Sequence, residues 1–211
     1  MVERSGWVEI TDTDPEHSAR YVERFRAMDE AGKDLAGEAR LVDAMAPRRA
    51  RILDAGCGPG RVGGFLHALG HTVVGVDVDP VLIAAAELDH PGPAWLVGDL
   101  AEVDAADIGS PVPSFDLIVS AGNVMTFLHP GTRREVLRRL GGQLTADGRI
   151  VVGFGAGRDY EFDDFFVDVE AAGLGVESRL ETWDVRPFTD DSDFLVAILV
   201  RTDRPTGRPT D

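Results

Sequence analysis

The sequence predicts a doubly wound α/β domain with a mostly parallel sheet and helices on both of its faces. Three observations carry that expectation. Short apolar runs recur at 52–55, 72–78, 94–97, 115–119 and 150–154, and segments with helical spacing separate most of them, at 61–69, 81–88 and 132–144. Strands that alternate with crossover helices build a parallel sheet. The first run passes directly into glycines at alternate positions, Gly56, Gly58 and Gly60, and then into a helix. A strand, a bare turn and a helix start together form a nucleotide-type binding edge at the carboxyl end of a strand. Finally, 211 residues, 44% hydrophobic and 27% charged, suit one domain with a sizeable core.

Residues 1–17 are polar and acidic, with Gly6 and Pro15, and read as a flexible arm on which Trp7, Val8 and Ile10 could dock. Tyr21, Val22, Phe25 and Met28 follow at helical spacing over 18–28. Leu41, Val42 and Met45 mark a second helix over 38–45, which Pro47 ends before the first strand. The turn after that strand, 58–63, formally fits G-x-G-x-x-G, and Asp77 lies about 20 residues on, as a dinucleotide fold requires. Two details weigh against a dinucleotide. The fit begins only after Gly56, so the turn is longer than that fingerprint needs, and Asp54 at the strand end would repel a pyrophosphate. A cationic ligand without phosphate suits such an edge better. S-adenosylmethionine, with its sulfonium and ammonium groups, is one.

Leu53-Asp54-Ala55-Gly56-Cys57-Gly58-Pro59-Gly60 resembles the first motif of the class I S-adenosylmethionine-dependent methyltransferases, and later motifs follow in the family's order. The resemblance covers residues 50–202 and implies that Asp54, Gly56, Cys57, Gly58 and Gly60 meet the cofactor. Asp77, with Val78 beside it, ends the second strand, where a carboxylate can accept charge-assisted bonds from vicinal ribose hydroxyls. Asp79-Pro80 then opens a helix as N-cap and first-turn proline. Asp99 and Leu100 follow the third strand, and the family pattern has them receive the adenine amino group and the ring. Residues 101–114 suit a surface connection. Ala121, Gly122 and Asn123 leave the fourth strand at the crevice where strand order reverses, next to the methyl group. This exit lacks the Asn/Asp-Pro-Pro-Tyr/Phe signature of enzymes that methylate amide or base nitrogens.

His129 is the candidate general base, because an imidazole accepts a proton near neutral pH. A turn at 147–149 precedes the fifth strand, and the 155–160 loop behind it offers Arg158 and Tyr160 as substrate contacts or as ordinary loop residues. A helix at 162–172 leads to strands at 176–183 and 193–201. These close the sheet at seven strands, the last one antiparallel, as in the family. The resemblance also implies that 18–49 folds over the cofactor as a lid, with Tyr21 and Arg26 as its contacts. Residues 203–211 read as a disordered tail.

A net charge of −16 weighs against a nucleic-acid acceptor, which calls for clustered Lys and Arg. The single cysteine, Cys57, excludes an internal disulfide and a cysteine-rich metal site. Asp163-Asp164 and Asp190-Asp191 read as solvated faces, so no metal is expected. No apolar run reaches roughly 18 residues and the amino end lacks a signal-peptide core, which points to a soluble cytoplasmic protein without a membrane partner. The expected activity is methyl transfer from S-adenosylmethionine, by in-line attack of an O, N or C nucleophile, leaving S-adenosylhomocysteine. With no large insertion, the pocket must come from the amino-terminal helix, 123–130, 155–160 and 184–191, and its compactness favours a small-molecule acceptor. Two other classes stay open: an NAD(P)-binding oxidoreductase, and a non-catalytic module that binds S-adenosylmethionine. Neither oligomeric state nor acceptor can be read from the residues.

Overall fold

In the computed structural model, which describes residues 3–203, the apolar runs become strands β1 (Arg51–Ala55), β2 (Thr72–Asp77), β3 (Ala94–Val97), β4 (Phe115–Ser120) and β5 (Leu144–Gly155). These five are parallel. Behind them β6 (Leu174–Leu180) forms the far edge, and β7 (Phe194–Arg201) inserts antiparallel between β5 and β6. The order is β3-β2-β1-β4-β5-β7-β6. β1 therefore has β2 on one side and β4 on the other, so the loops leaving β1 and β4 part and open a crevice.

Each central strand is apolar on both sides because both faces are covered. Ile52, Val73, Leu117 and Val119 pack with Ala39 and Val42 of α3 (Gly37–Met45) and with Val62 and Leu66 of α4 (Arg61–Ala68). Their neighbours Leu53, Val74 and Ile118 point the other way, toward Val136 and Leu140 of α7 (Arg133–Gly142) and Phe165 and Val169 of α8 (Phe162–Ala171). This alternation sets the register: Leu53 lies opposite Val74 on one side and Ile118 on the other. α5 (Pro80–Asp89) starts as expected, with Asp79 Oδ1 accepting from Val81 N–H at 2.8 Å and Pro80 in its first turn.

Three expectations need correction. The arm expected over 1–17 contains a helix, α1 (Gly6–Thr13), capped by Ser5 and anchored by buried Trp7. Polar composition hid it, because Trp7 is its one buried residue. α1 and α2 (His17–Glu30) dock on α5, where Trp7, Val22, Leu82 and Ala85 pack together. Second, the turn expected at 147–149 lies within β5, whose pairing with β4 shifts register between Phe115 and Leu117. Third, one helical turn, α6 (Val124–Phe127), interrupts the loop expected at 123–130. The tail expected over 203–211 lies, from 204 onward, outside the described residues. Among the described residues no helix is long and apolar enough to cross a membrane.

Candidate active site

The crevice between the ends of β1 and β4 holds a cleft of about 640 Å³, open solvent included. Asp77, Val78, Asp99, Leu100, Ala121, Gly122, Gly56, Gly58 and Tyr21 line it. Asp77 is buried at the end of β2, and its carboxylate accepts from Gly58 N–H at 2.8 Å and from Asp79 N–H at 3.0 Å. Burial pushes its carboxyl up to about 6, against the pull of those amides. Asp99 accepts from Ala101 N–H at 2.8 Å, which fixes the turn after β3. Gly58 and Gly122 both have φ in the left-handed region, +54° and +78°. A Cβ on Gly122 would meet nothing within 4 Å and one on Gly58 only the Tyr21 ring edge at 3.9 Å, so bare backbone faces the open cleft.

Several expected contacts lie elsewhere. Asp54 turns under the loop and accepts from Gly63 N–H at 2.9 Å, so it caps the first turn of α4 and does not line the cleft. The Cys57 sulfur packs with Ile83, Ala86 and Trp95. Gly60, at φ +84°, starts α4, where any Cβ would strike Ala86 at 2.8 Å. Asn123 Oδ1 accepts from Gly155 N–H at 2.8 Å and ties the β4 exit to the end of β5. Arg26 faces away, gripping Asp89 at 2.8 and 3.0 Å and Glu23 at 2.7 Å. His129 also sits apart: its Nδ1 is 2.7 Å from a Glu3 carboxylate oxygen, and it lines neither this cleft nor the cavity beside it. Tyr160 is a buried anchor whose hydroxyl donates to Asp168 at 2.9 Å.

Sequence reasoning missed the part played by α1. Trp7 lines the cleft, and its Nε1–H donates to Asp79 Oδ2 at 2.8 Å; the Ser18 hydroxyl donates to the same oxygen. The cap of α5 thereby tethers α1 and α2 over the cleft. Phe127, Leu128, Val124 and Leu82 complete the wall. A lone Trp before a capping Asp far along the chain is a signal no local window can join.

A methyltransferase-domain family model matches residues 52–148. A TehB-like S-adenosylmethionine-dependent methyltransferase from Corynebacterium glutamicum is 50% identical, covering 89% of this chain and 100% of its own, with a TM-score of 0.84. The chain belongs to the class I S-adenosylmethionine-dependent methyltransferases. At lower identity only the fold is shared. A Clostridium acetobutylicum S-adenosylmethionine-dependent methyltransferase is 10% identical at TM-score 0.74, covering 87% of this chain and 98% of its own. The Burkholderia thailandensis 1,6-didemethyltoxoflavin-N1-methyltransferase is 22% identical at TM-score 0.60, covering 89% and 90%. A comparison with curated proteins finds no match.

The lining of the cleft suits the cofactor of this methyltransferase in its chemistry. A buried carboxylate without a cation in its hydrogen-bond shell, Asp77, faces the open space together with glycine backbone. Hydroxyl donors would satisfy what the two amides leave over. Beside the cleft the methyltransferase has a second, wider cavity of about 1,770 Å³, open to solvent. Trp7, Tyr21, Gly122 and Phe127 line both. Of the connection expected to wall it, only the flanking Trp183 and Phe194 take part, not residues 184–191. His17 and Arg158 also line this cavity. Among the described residues no group of three or more His, Cys, Asp or Glu is placed to hold a metal ion.

Proposed function

We propose that this methyltransferase binds its cofactor in the cleft and receives a small-molecule acceptor through the second cavity. The observation that carries this reading is the shared boundary of Trp7, Tyr21, Gly122 and Phe127, where the two spaces meet. S-adenosylmethionine supplies an electrophilic methyl carbon: an acceptor lone pair bonds to it, the C–S pair stays on sulfur as S-adenosylhomocysteine, and any acceptor proton leaves to water. In this reading Asp77 accepts from the ribose hydroxyls, Asp99 from the adenine amino group, and Val78 and Leu100 hold the adenosine. Gly58 and Gly122 let the backbone approach the ligand, while Gly56, also in the lining, makes room for Val124.

The chain's task is then alignment and exclusion of water rather than proton removal. Burial raises the Tyr21 phenol above its ordinary value, so it stays protonated at the junction and is no base at neutral pH. α1 and α2 act as the lid, latched on Asp79 by Trp7 and Ser18. A small acceptor agrees with the fold shared with an enzyme named for 1,6-didemethyltoxoflavin, and with an acidic chain ill-suited to nucleic acid. A cytoplasmic location goes with the same reading.

Titration calorimetry of the ligand-stripped protein tests it. S-adenosylmethionine and S-adenosylhomocysteine should bind with micromolar affinity while oxidised and reduced nicotinamides give no heat. Asp77→Ala should weaken binding by about 1.5–3 kcal/mol through loss of charge-assisted bonds. Unchanged affinity in that variant would remove Asp77 from the ribose, and nicotinamide binding would overturn the cofactor assignment of the cleft.

A further inference from the structure

The second cavity has an unusual charge for a chain of net −16. Its two acids are already neutralised: Glu38 accepts from Arg61 at 2.6 and 2.7 Å, and Asp34 from Arg40 at 2.6 and 2.8 Å. Two of its cations are not. Neither Arg24 nor Arg158 has a carboxylate partner among the described residues, though both line the cavity. The Arg24 guanidinium lies over the Tyr21 ring at 4.7 Å and the Phe25 ring at 5.3 Å, which holds its charge at the wall. Arg158 projects from a loop fixed on either side. Asn123 Oδ1 takes the Gly155 amide before it, and Arg133 Nη2 donates to Asp159 O at 2.8 Å just after it. Phe25, Phe127, Trp183 and Phe194 give the cavity aromatic walls, with Met28, Leu35, Gly122 and Asn123 among them.

We infer that the acceptor is an aromatic carboxylate, its ring against these aromatic walls and its carboxylate held by Arg24 and Arg158. The inference rests on the second cavity being the acceptor site, as proposed above. Guanidinium groups suit it because their planar fork pairs with both oxygens of a carboxylate, and a ring meets the aromatic walls by stacking or edge contact. Flat, rigid molecules of this kind also lose little entropy on entering a preformed cavity.

The test uses full-length protein saturated with S-adenosylhomocysteine. Hydroxybenzoates, aminobenzoates and hydroxyquinoline carboxylates are titrated by calorimetry, each beside its uncharged carboxamide. At least one carboxylate should bind about 10-fold or more tighter than its amide, the scale of one charge-assisted pair. Arg158→Gln should abolish most of that preference while leaving S-adenosylhomocysteine affinity unchanged, and Arg24→Gln should reduce it as well. Equal affinities within every pair, or no carboxylate binding at all to the loaded protein, would overturn the inference. So would sulfate displacing the aromatic ligands as strongly as they bind, since the site would then recognise an inorganic oxyanion alone. Failure of S-adenosylhomocysteine itself to bind would instead overturn the methyl-transfer reading beneath it.

Discussion

Asp54 is sealed between the end of β1 and the first turn of α4, where it accepts a bond from Gly63 N–H. Burial outweighs that bond and raises its carboxyl to about 7. In the unfolded chain the same group titrates near 3.9. The folded state therefore holds this proton more tightly than the unfolded one. The stability it contributes is complete below about pH 4 and is lost as the pH rises through about 7. Asp77, raised to about 6, acts in the same direction over a narrower window. The melting temperature of the ligand-free protein should accordingly fall from pH 5 to pH 8, and Asp54→Asn should flatten that slope, as read by calorimetric scans across the range. An equal slope in the variant would assign the loss to other groups. The sequence told that an acid stands at this strand end. Whether it faced ligand or helix depended on where the first turn of α4 packs, which no residue pattern encodes. His129 shows the same limit, since the sequence offered its imidazole as a base and its partner in space is Glu3.

Elements fared better where their pattern was internal. β1, β2, α4 and α5 each carry a strong local signature: apolar runs, alternate glycines, and the Asp79-Pro80 start. α1 does not. Its stability comes from one indole that reaches an acid on another element, with Trp7 in edge contact with Tyr21 at 5.2 Å and with Phe127 at 5.5 Å. Trp7→Ala should release α1 while the sheet stays intact, because the tether is local. Hydrogen exchange should speed up by about 10-fold or more over residues 5–13 with β1 and β4 unchanged, and global loss of protection would make α1 part of the core instead. A second element-scale constraint lies under β2. A Cβ on Gly75 would fall 2.2 Å from the Trp95 ring, whose Nε1–H is held by His90 O at 2.9 Å. Trp95 cannot step aside without losing that bond. Gly75→Ala should cost about 1–3 kcal/mol by overpacking, seen as a lower urea midpoint at unchanged slope.

At the scale of the molecule, the doubly wound sheet and the crevice beside β1 follow from strand and helix periodicity together with the order of the motifs, whereas the reversed β7 was implied by the family resemblance. Periodicity is a local property, and burial on both faces forces it to appear in the residues themselves. The lining of the cleft was legible in part for the same reason: Asp77, Val78, Ala121 and Gly122 sit at strand ends, which can be counted, while Asp99 and Leu100 were implied by the family resemblance. What only the tertiary structure decided is the other half of the site. Trp7 and Arg24 of the amino-terminal helices line one cavity with Arg158 behind β5 and with Trp183 and Phe194 around the closing strand pair, residues from elements far apart in the chain. Those placements depend on which helix faces pack and which cations find a carboxylate first, Arg61 with Glu38 and Arg40 with Asp34. Such pairings are settled by three-dimensional competition for partners, and a linear sequence records the competitors without recording the outcome.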